Sequence, residues 1–150
     1  MIREIKSDDK IDFIKMCMDF YNTDGVDHSI PVSNMEKTFN LLMEGLDFAK
    51  AYVCEKNNKT VGYILLALTY SNEAGGMVVW LDEIYVKPEF RSQGIGSELI
   101  DFVIEKYKNK ISRFRLEITE SNIGAKKLYL SKGFKDLSYR QMEIGRASCR

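Results

Sequence analysis

"WLDEIYVKPEFRSQGIGSELI", residues 80–100, passes from a β-type run through a proline and two closely spaced glycines into an amphipathic helix. The β-type run, from Met77 to Val86, is rich in branched and aromatic side chains, and Pro88 closes it because proline removes a ladder donor. Beyond the glycines, Ile95, Leu99, Val103 and Tyr107 recur on one face of a helix. A strand that turns into a helix here gathers several backbone N–H groups without intrahelical acceptors at one point. Those donors and the helix dipole both favour an anion. Gly94 and Gly96 let a ligand approach the backbone, and Arg91 adds a permanent cation. The expected ligand is a phosphate, and a pyrophosphate suits the row of donors.

Other phosphate motifs fit poorly. A Walker A loop requires Gly-Lys-Ser/Thr, which the chain lacks. A dinucleotide fingerprint requires a third small residue where Leu99 stands, after the first strand of a parallel sheet. A G-x-G turn alone is equally compatible with an ordinary helix entry that holds no ligand.

Working outward, "IREI" reads as a short strand, and Ser7 is placed to cap a helix running to about Tyr21, with Ile11, Ile14, Met18 and Tyr21 as its inner face. Ser33 or Asn34 starts a second helix through Phe39, Leu42 and Met43, ending near Gly45. "KAYVCEKNNKTVGYILLALTY" gives two β-rich runs around a polar turn, a hairpin signal. After the helix that follows the glycines, "RFRLEIT" alternates as a half-buried strand, a helix runs from about Asn122 to Lys132 with Gly133 at its end, and "YRQMEI" reads as a final strand. The order β-α-α-β-β-β-α-β-α-β predicts an α/β (α+β) fold: a mixed, mostly antiparallel central sheet with helices on both faces, in a single domain over residues 1–144.

With 150 residues, 45% hydrophobic and 29% charged, the composition is that of a soluble globular domain, without an apolar run of membrane-spanning length. The 22 basic and 22 acidic side chains cancel and form no long basic block, which argues against a nucleic-acid partner. No secretory signal opens the chain, so a cytoplasmic location is expected. Cys17, Cys54 and Cys149 have neither metal-ligand nor disulfide spacing, and the single histidine, His28, is read as a loop residue; no metal site is expected. Residues 144–150, "IGRASCR", match one reading frame of a common sequencing-adapter oligonucleotide and are read as a non-native tail. Resequencing the locus across that junction tests this.

Residues 80–100 resemble the acetyl-CoA signature of the GNAT acetyltransferase superfamily, in which a Tyr-Val-like strand end and a proline precede [QR]-x-x-G-x-[GA]. Here the motif is Arg91, Ser92, Gln93, Gly94, Ile95 and Gly96. A second family signature, "ESNIGAKKLYLSKGF", supplies Asn122, Ala125, Tyr129, Gly133 and Phe134 after the "LEIT" strand. The resemblance implies the following roles. Backbone N–H groups from Gln93 through Ser97 bind the CoA pyrophosphate. The backbone of Ile84, Tyr85 and Val86 pairs with the pantetheine arm, and Asn122 and Ala125 approach the cofactor from the other side. Tyr129 protonates the leaving thiolate.

An attacking amine must first lose a proton. Asp82 and Glu83 stand just ahead of the cofactor segment, where polyamine-type members of the family carry an adjacent acidic pair. On a regular strand they face opposite sides, so one of them is expected to reach the amine, with Glu83 preferred. Tyr21, Asp24, Asp27 and His28 occupy a loop that lines the acceptor pocket in the family, although loops are polar in any case and the plain reading is a solvated loop. The resemblance thus implies an acetyl-CoA-dependent N-acetyltransferase acting on a small primary amine by direct transfer, as no cysteine sits in either motif. The alternatives are a protein or peptide N-acetyltransferase and a non-catalytic CoA-binding module. Homodimers are common in the family.

Overall fold

Asn57 and Asn58 adopt positive φ of 51° and 59°, the backbone twist that joins two antiparallel strands most tightly. They connect β2 (Ala49–Lys56) to β3 (Lys59–Ser71), which in turn pairs antiparallel with β4 (Gly76–Val86). A short β1 (Ile2–Glu4) flanks β2, and β5 (Arg113–Leu116) pairs parallel with β4, giving the sheet order β1-β2-β3-β4-β5. The computed structural model describes residues 1–23, 26 and 28–145.

Helices α1 (Lys10–Phe20) and α2 (Val32–Met43) cover one face of this sheet. Phe13, Met16, Cys17, Met35 and Phe39 pack there on Val53, Tyr63, Leu65 and Tyr85. On the other face, α3 (Ile95–Tyr107) buries Ile95, Leu99, Val103 and Tyr107 against Tyr52, Ile64, Leu66, Val79 and Leu81, joined by Tyr129 from α4 (Ile123–Ser131). Strands covered on both faces read as near-continuous apolar runs, and "YILLA" in β3 is one. Gly62 is required by space: a Cβ there would lie 2.7 Å from the Tyr85 carbonyl oxygen.

Two irregularities shape the centre of the sheet. The β3–β4 register steps from Leu66↔Leu81 to Leu65↔Glu83, leaving Asp82 as an extra, bulged residue. Upstream of the bulge Val79 and Leu81 face α3; downstream, Tyr85 faces α1 and α2. The second irregularity is the early end of β5. It pairs with β4 only from Val78↔Arg113 to Leu81↔Leu116, after which the two strands part.

Several expectations are corrected. Ser7 does not cap a helix; Ser7–Asp9 form a 3-10 turn, and the Asp9 carboxylate accepts the Lys6 N–H at 2.8 Å and the two terminal Arg3 guanidinium nitrogens at 2.8 and 2.9 Å. In α1 the fully buried residues are Phe13, Met16 and Cys17; of the expected face, Ile14 and Tyr21 pack partly buried on the same core beside Phe20, whereas Ile11 and Met18 are 70% and 43% exposed. Two apolar stripes overlap in this helix, and the one with the bulkier rings is buried. "YRQMEI" forms no strand: Tyr139, Met142 and Ile144 are 66%, 98% and 72% exposed. Alternation would put Tyr139, Gln141 and Glu143 on one side and Arg140, Met142 and Ile144 on the other, so neither side is apolar throughout. Tyr139 instead donates to Glu73 at 3.1 Å and stacks near the Arg115 guanidinium. Arg146 and Cys149 lie outside the described residues.

Candidate active site

The parting of β4 and β5 opens the sheet where the sequence motifs converge. On the α3 side a 3-10 turn, Pro88–Phe90, leads into Ser92 and Gly94, both with positive φ of 59° and 82°, before α3 begins at Ile95. The first helical donor is the Glu98 N–H, which reaches the Gly94 carbonyl at 2.9 Å. The N–H groups of Ile95, Gly96 and Ser97 precede it and have no intrahelical acceptor. Ile95 buries its side chain in the core, so only its backbone serves the loop. A Cβ on Gly96 would make ordinary contact with Leu128 at 3.6 Å, so packing alone does not demand glycine there.

A cleft of about 440 Å³ runs beside this loop, lined by Ile84, Tyr85, Val86, Arg91 and Asn122, five of the expected cofactor residues. Arg91 is anchored by its Nε, which donates to the Val86 carbonyl at 2.9 Å, and its guanidinium lies 5.5 Å from the Tyr85 ring centroid. Asn122 caps α4, its Oδ1 accepting the Ala125 N–H at 3.4 Å. Ala125 packs on the core rather than lining the cleft. Gln93 turns back, donating to the Glu89 carbonyl at 3.3 Å. Backbone donors, an adjacent cation and a strand edge released by β5 fit a pyrophosphate with an extended amide arm.

A second cavity, of about 790 Å³, lies across the divergence. Phe20, Tyr21, His28, Trp80 and Ser121 contribute to its wall, with the carboxylates of Asp82, Glu83, Glu117 and Glu120. No lysine or arginine is among the described residues lining it. Asp82 sits in the bulge, and Asp82 and Glu83 both line this cavity, which takes in Leu81 from the α3 side as well as Phe20 and Tyr21 from α1. Glu83 is fixed by two phenols, with Tyr21 donating to Oε2 and Tyr63 donating to Oε1 at 2.8 Å. Burial raises the Glu83 carboxyl above the ordinary carboxylate range, the two hydroxyls oppose that rise, and the Asp82 charge adds to it. Asp82 keeps an exposed side chain, and its carboxyl is raised by partial desolvation against the surrounding wall and by the neighbouring Glu117. Phe20 and Ser121 line both this cavity and the cofactor cleft, so the two spaces meet there.

Tyr129 is buried at 9% exposure, its ring 5.9 Å from that of Phe134. Burial pushes its phenol up to about 12. Rather than the two spaces above, it lines an adjoining cavity of about 410 Å³, whose wall shares Trp80, Glu117 and Ile118 with the acidic one.

Tyr21 closes α1 as a half-buried wall residue of the cavity, His28 borders the cavity from an exposed loop position, and Asp24 and Asp27 lie outside the described residues. Sequence reasoning missed Tyr63, Trp80 and Glu117. Trp80 and Glu117 flank the motifs closely enough to have been found by asking what borders the strand divergence. Tyr63 carries no local signal, as it sits within an apolar strand.

The Acetyltransferase (GNAT) family model matches residues 14–134, and the chain belongs to that family. It is an N-acetyltransferase, with acetyl-CoA as the acetyl donor of the family. The thialysine N-epsilon-acetyltransferase of Mus musculus is 32% identical over 146 residues, spanning 91% of this chain and 85% of that protein. Its namesake in Sus scrofa is 44% identical over 79 residues, a match that spans 52% of this chain and only 46% of the pig protein. Among solved structures, the aminoglycoside N-acetyltransferase AAC(6')-Iy in complex with CoA superposes with a TM-score of 0.80 at 16% identity, covering 98% of this chain and 95% of that one. No helix among the described residues is long and apolar enough to cross a membrane.

Proposed function

We propose that the protein transfers the acetyl group of acetyl-CoA to a small primary amine by direct attack, without a covalent acyl-enzyme. The observation that carries this reading is the meeting of the cofactor cleft with an acidic cavity at Phe20 and Ser121. An amine is largely protonated in water, so four carboxylates around the cavity attract it, and one of them must take a proton before nitrogen can attack. Glu83 takes it, since burial raises its proton affinity toward that of a useful base. Asp82 and Glu117 supply the negative field that holds the cation.

Acetyl-CoA supplies the thioester and, after attack, a thiolate leaving group. The backbone N–H groups from Gln93 through Ser97 hold its pyrophosphate, helped by Arg91 and Ser92, and the strand edge at Ile84, Tyr85 and Val86 orients the amide arm. Asn122 and Ala125 form the start of α4 on the opposite side, and Tyr129, kept protonated by burial, donates to the thiolate. Cys17 is buried with its thiol pushed up to about 12, and Cys54 is likewise buried and raised, which leaves neither as a nucleophile at neutral pH.

The relatives are named for acetylation of the Nε amine of thialysine, a primary amine at the end of a short chain, and that acceptor class is proposed here. A panel of amines, amino acids and peptides, assayed with acetyl-CoA by release of free thiol, tests it. Turnover of small primary amines is expected. Turnover of peptides alone would transfer the reading to a protein acetyltransferase, and CoA binding without any turnover would leave a binding module.

A further inference from the structure

How the amine's proton reaches Glu83 rests on the reading of the cavity just given, and the two phenols on that carboxylate differ in the access they allow. Tyr63 is 0% exposed, packed against the rings of Phe13 and Tyr85. Tyr21, the residue that closes α1, is half-buried and lines the cavity wall. Of the two hydroxyls bound to Glu83, only that of Tyr21 stands where an acceptor can touch it.

We propose that Tyr21 is a catalytic residue that relays the acceptor's proton to Glu83. The ammonium donates to the Tyr21 Oη. Its N–H bond breaks as an O–H bond forms on the phenol, and the phenol's own proton crosses the existing hydrogen bond to Glu83 Oε2. Nitrogen keeps the electron pair for attack on the thioester carbonyl. The ammonium and carboxylate become an amine and a carboxylic acid, and Tyr21 ends neutral, as it began. Burial and the Glu83 charge disfavour a free tyrosinate at Tyr21, so both transfers occur in one step. Tyr63 holds Oε1 and is a positioning residue. Among the described residues, the ionisable groups facing Glu83 are Tyr21 and Cys17 at the end of α1, Tyr63 on β3, Asp82 on β4 and, around the shared cavity, His28, Glu117 and Glu120. The Cys17 thiol stays protonated.

Wild-type turnover on one accepted amine is measured first and tests the reading of the site. The relay is then tested by kcat/KM for that amine from about pH 6 to about pH 10, a range that approaches the pKa of a free alkylamine, in Y21F, Y63F, E83Q and the double variant Y21F/E83Q. Y21F is expected to lose about 100-fold near neutral pH, the scale of one general-base contribution. Its KM for acetyl-CoA stays unchanged, and the deficit shrinks as the amine deprotonates unaided. The double variant is expected to lose no more than either single one, because both remove the same path. Y63F is expected to lose less and to move the acidic limb to higher pH, since it removes a hydrogen bond that lowers the Glu83 pKa. An active wild type with Y21F equal to it, with a Y21F deficit constant across pH, or with additive losses in the double variant would overturn the relay alone. A wild type inactive on every amine would overturn it together with the site reading. If Y21F does not fold, fluorotyrosine at position 21 keeps the ring and hydroxyl while making the phenol more acidic: a displaced pH profile supports the relay, and an unmoved one overturns it.

Discussion

The two sides of the parting between β4 and β5 are built by different means. The donor side is made mostly of backbone: Ser92 and Gly94 at positive φ, the first N–H groups of α3, and the strand edge from Ile84 to Val86. The proposed acceptor side is made of side chains brought from distant parts of the chain, with Glu83 held by Tyr21 and Tyr63 and sharing one cavity with Asp82 and Glu117. Backbone recognition is fixed by local geometry and tolerates change in the side chains around it. Side-chain recognition depends on which residues the fold assembles, and it sets what the enzyme acetylates.

Substitutions can break this contrast at either side. The largest effect among them is expected from Tyr129→Phe, which removes the proposed acid: kcat falls by about 100-fold while the KM for acetyl-CoA changes less. Unchanged turnover in steady-state kinetics would remove Tyr129 from the chemistry. Gly94→Val forces a branched side chain into the left-handed region, a cost of about 1–2 kcal/mol that corresponds to roughly tenfold weaker CoA binding if the loop must distort. Calorimetric titration with CoA measures it, and retained affinity in a folded variant would sink the pyrophosphate assignment. A smaller effect is expected from pH: because burial raises Glu83, activity dependent on its ionised form declines on acidification before an ordinary carboxylate would protonate. An acidic limb of kcat/KM at or below the ordinary glutamate value would contradict this. The smallest effect belongs to Glu117→Gln, which removes one charge from the acceptor wall. The acceptor KM should rise a few-fold, more at low salt than at high, with CoA affinity untouched.

The same contrast explains what could be read in the sequence. The Asn57-Asn58 turn, the stop at Pro88 and the buried stripe Ile95, Leu99, Val103 and Tyr107 are local signals, and each formed the element expected of it. So did the hairpins, the helices and the mixed sheet with helices on both faces. On the proposed donor side, Ile84, Tyr85, Val86, Arg91 and Asn122 gather in one cleft, whereas Ser92 to Ser97 and Ala125 do not line it. Less was legible where the outcome depends on partners. In α1, whether Ile11 or Phe13 turns inward is decided by the sheet it meets, and Phe13 packs edge-on to Tyr63. The final strand failed because neither face of "YRQMEI" offers continuous apolar surface to bury. A regular strand was expected at Asp82 and Glu83, and the bulge found there leaves no mark in composition or periodicity. The tie between Glu83 and Tyr63 joins positions 20 residues apart on neighbouring strands, beyond the reach of any local pattern.

The bulge at Asp82 behaves like a frameshift written into a strand. Up to Leu81, odd-numbered residues of β4 belong to the α3 core; from Glu83 onward they belong to the face that meets α1 and α2. Were Asp82 paired as an ordinary strand residue instead of bulged, the earlier phase would continue: Glu83 would turn toward the α3 core, and Ile84 and Val86 away from the core they now join. Single side chains beyond the bulge can therefore be exchanged one position at a time, whereas straightening the bulge would exchange the two faces for every residue that follows it.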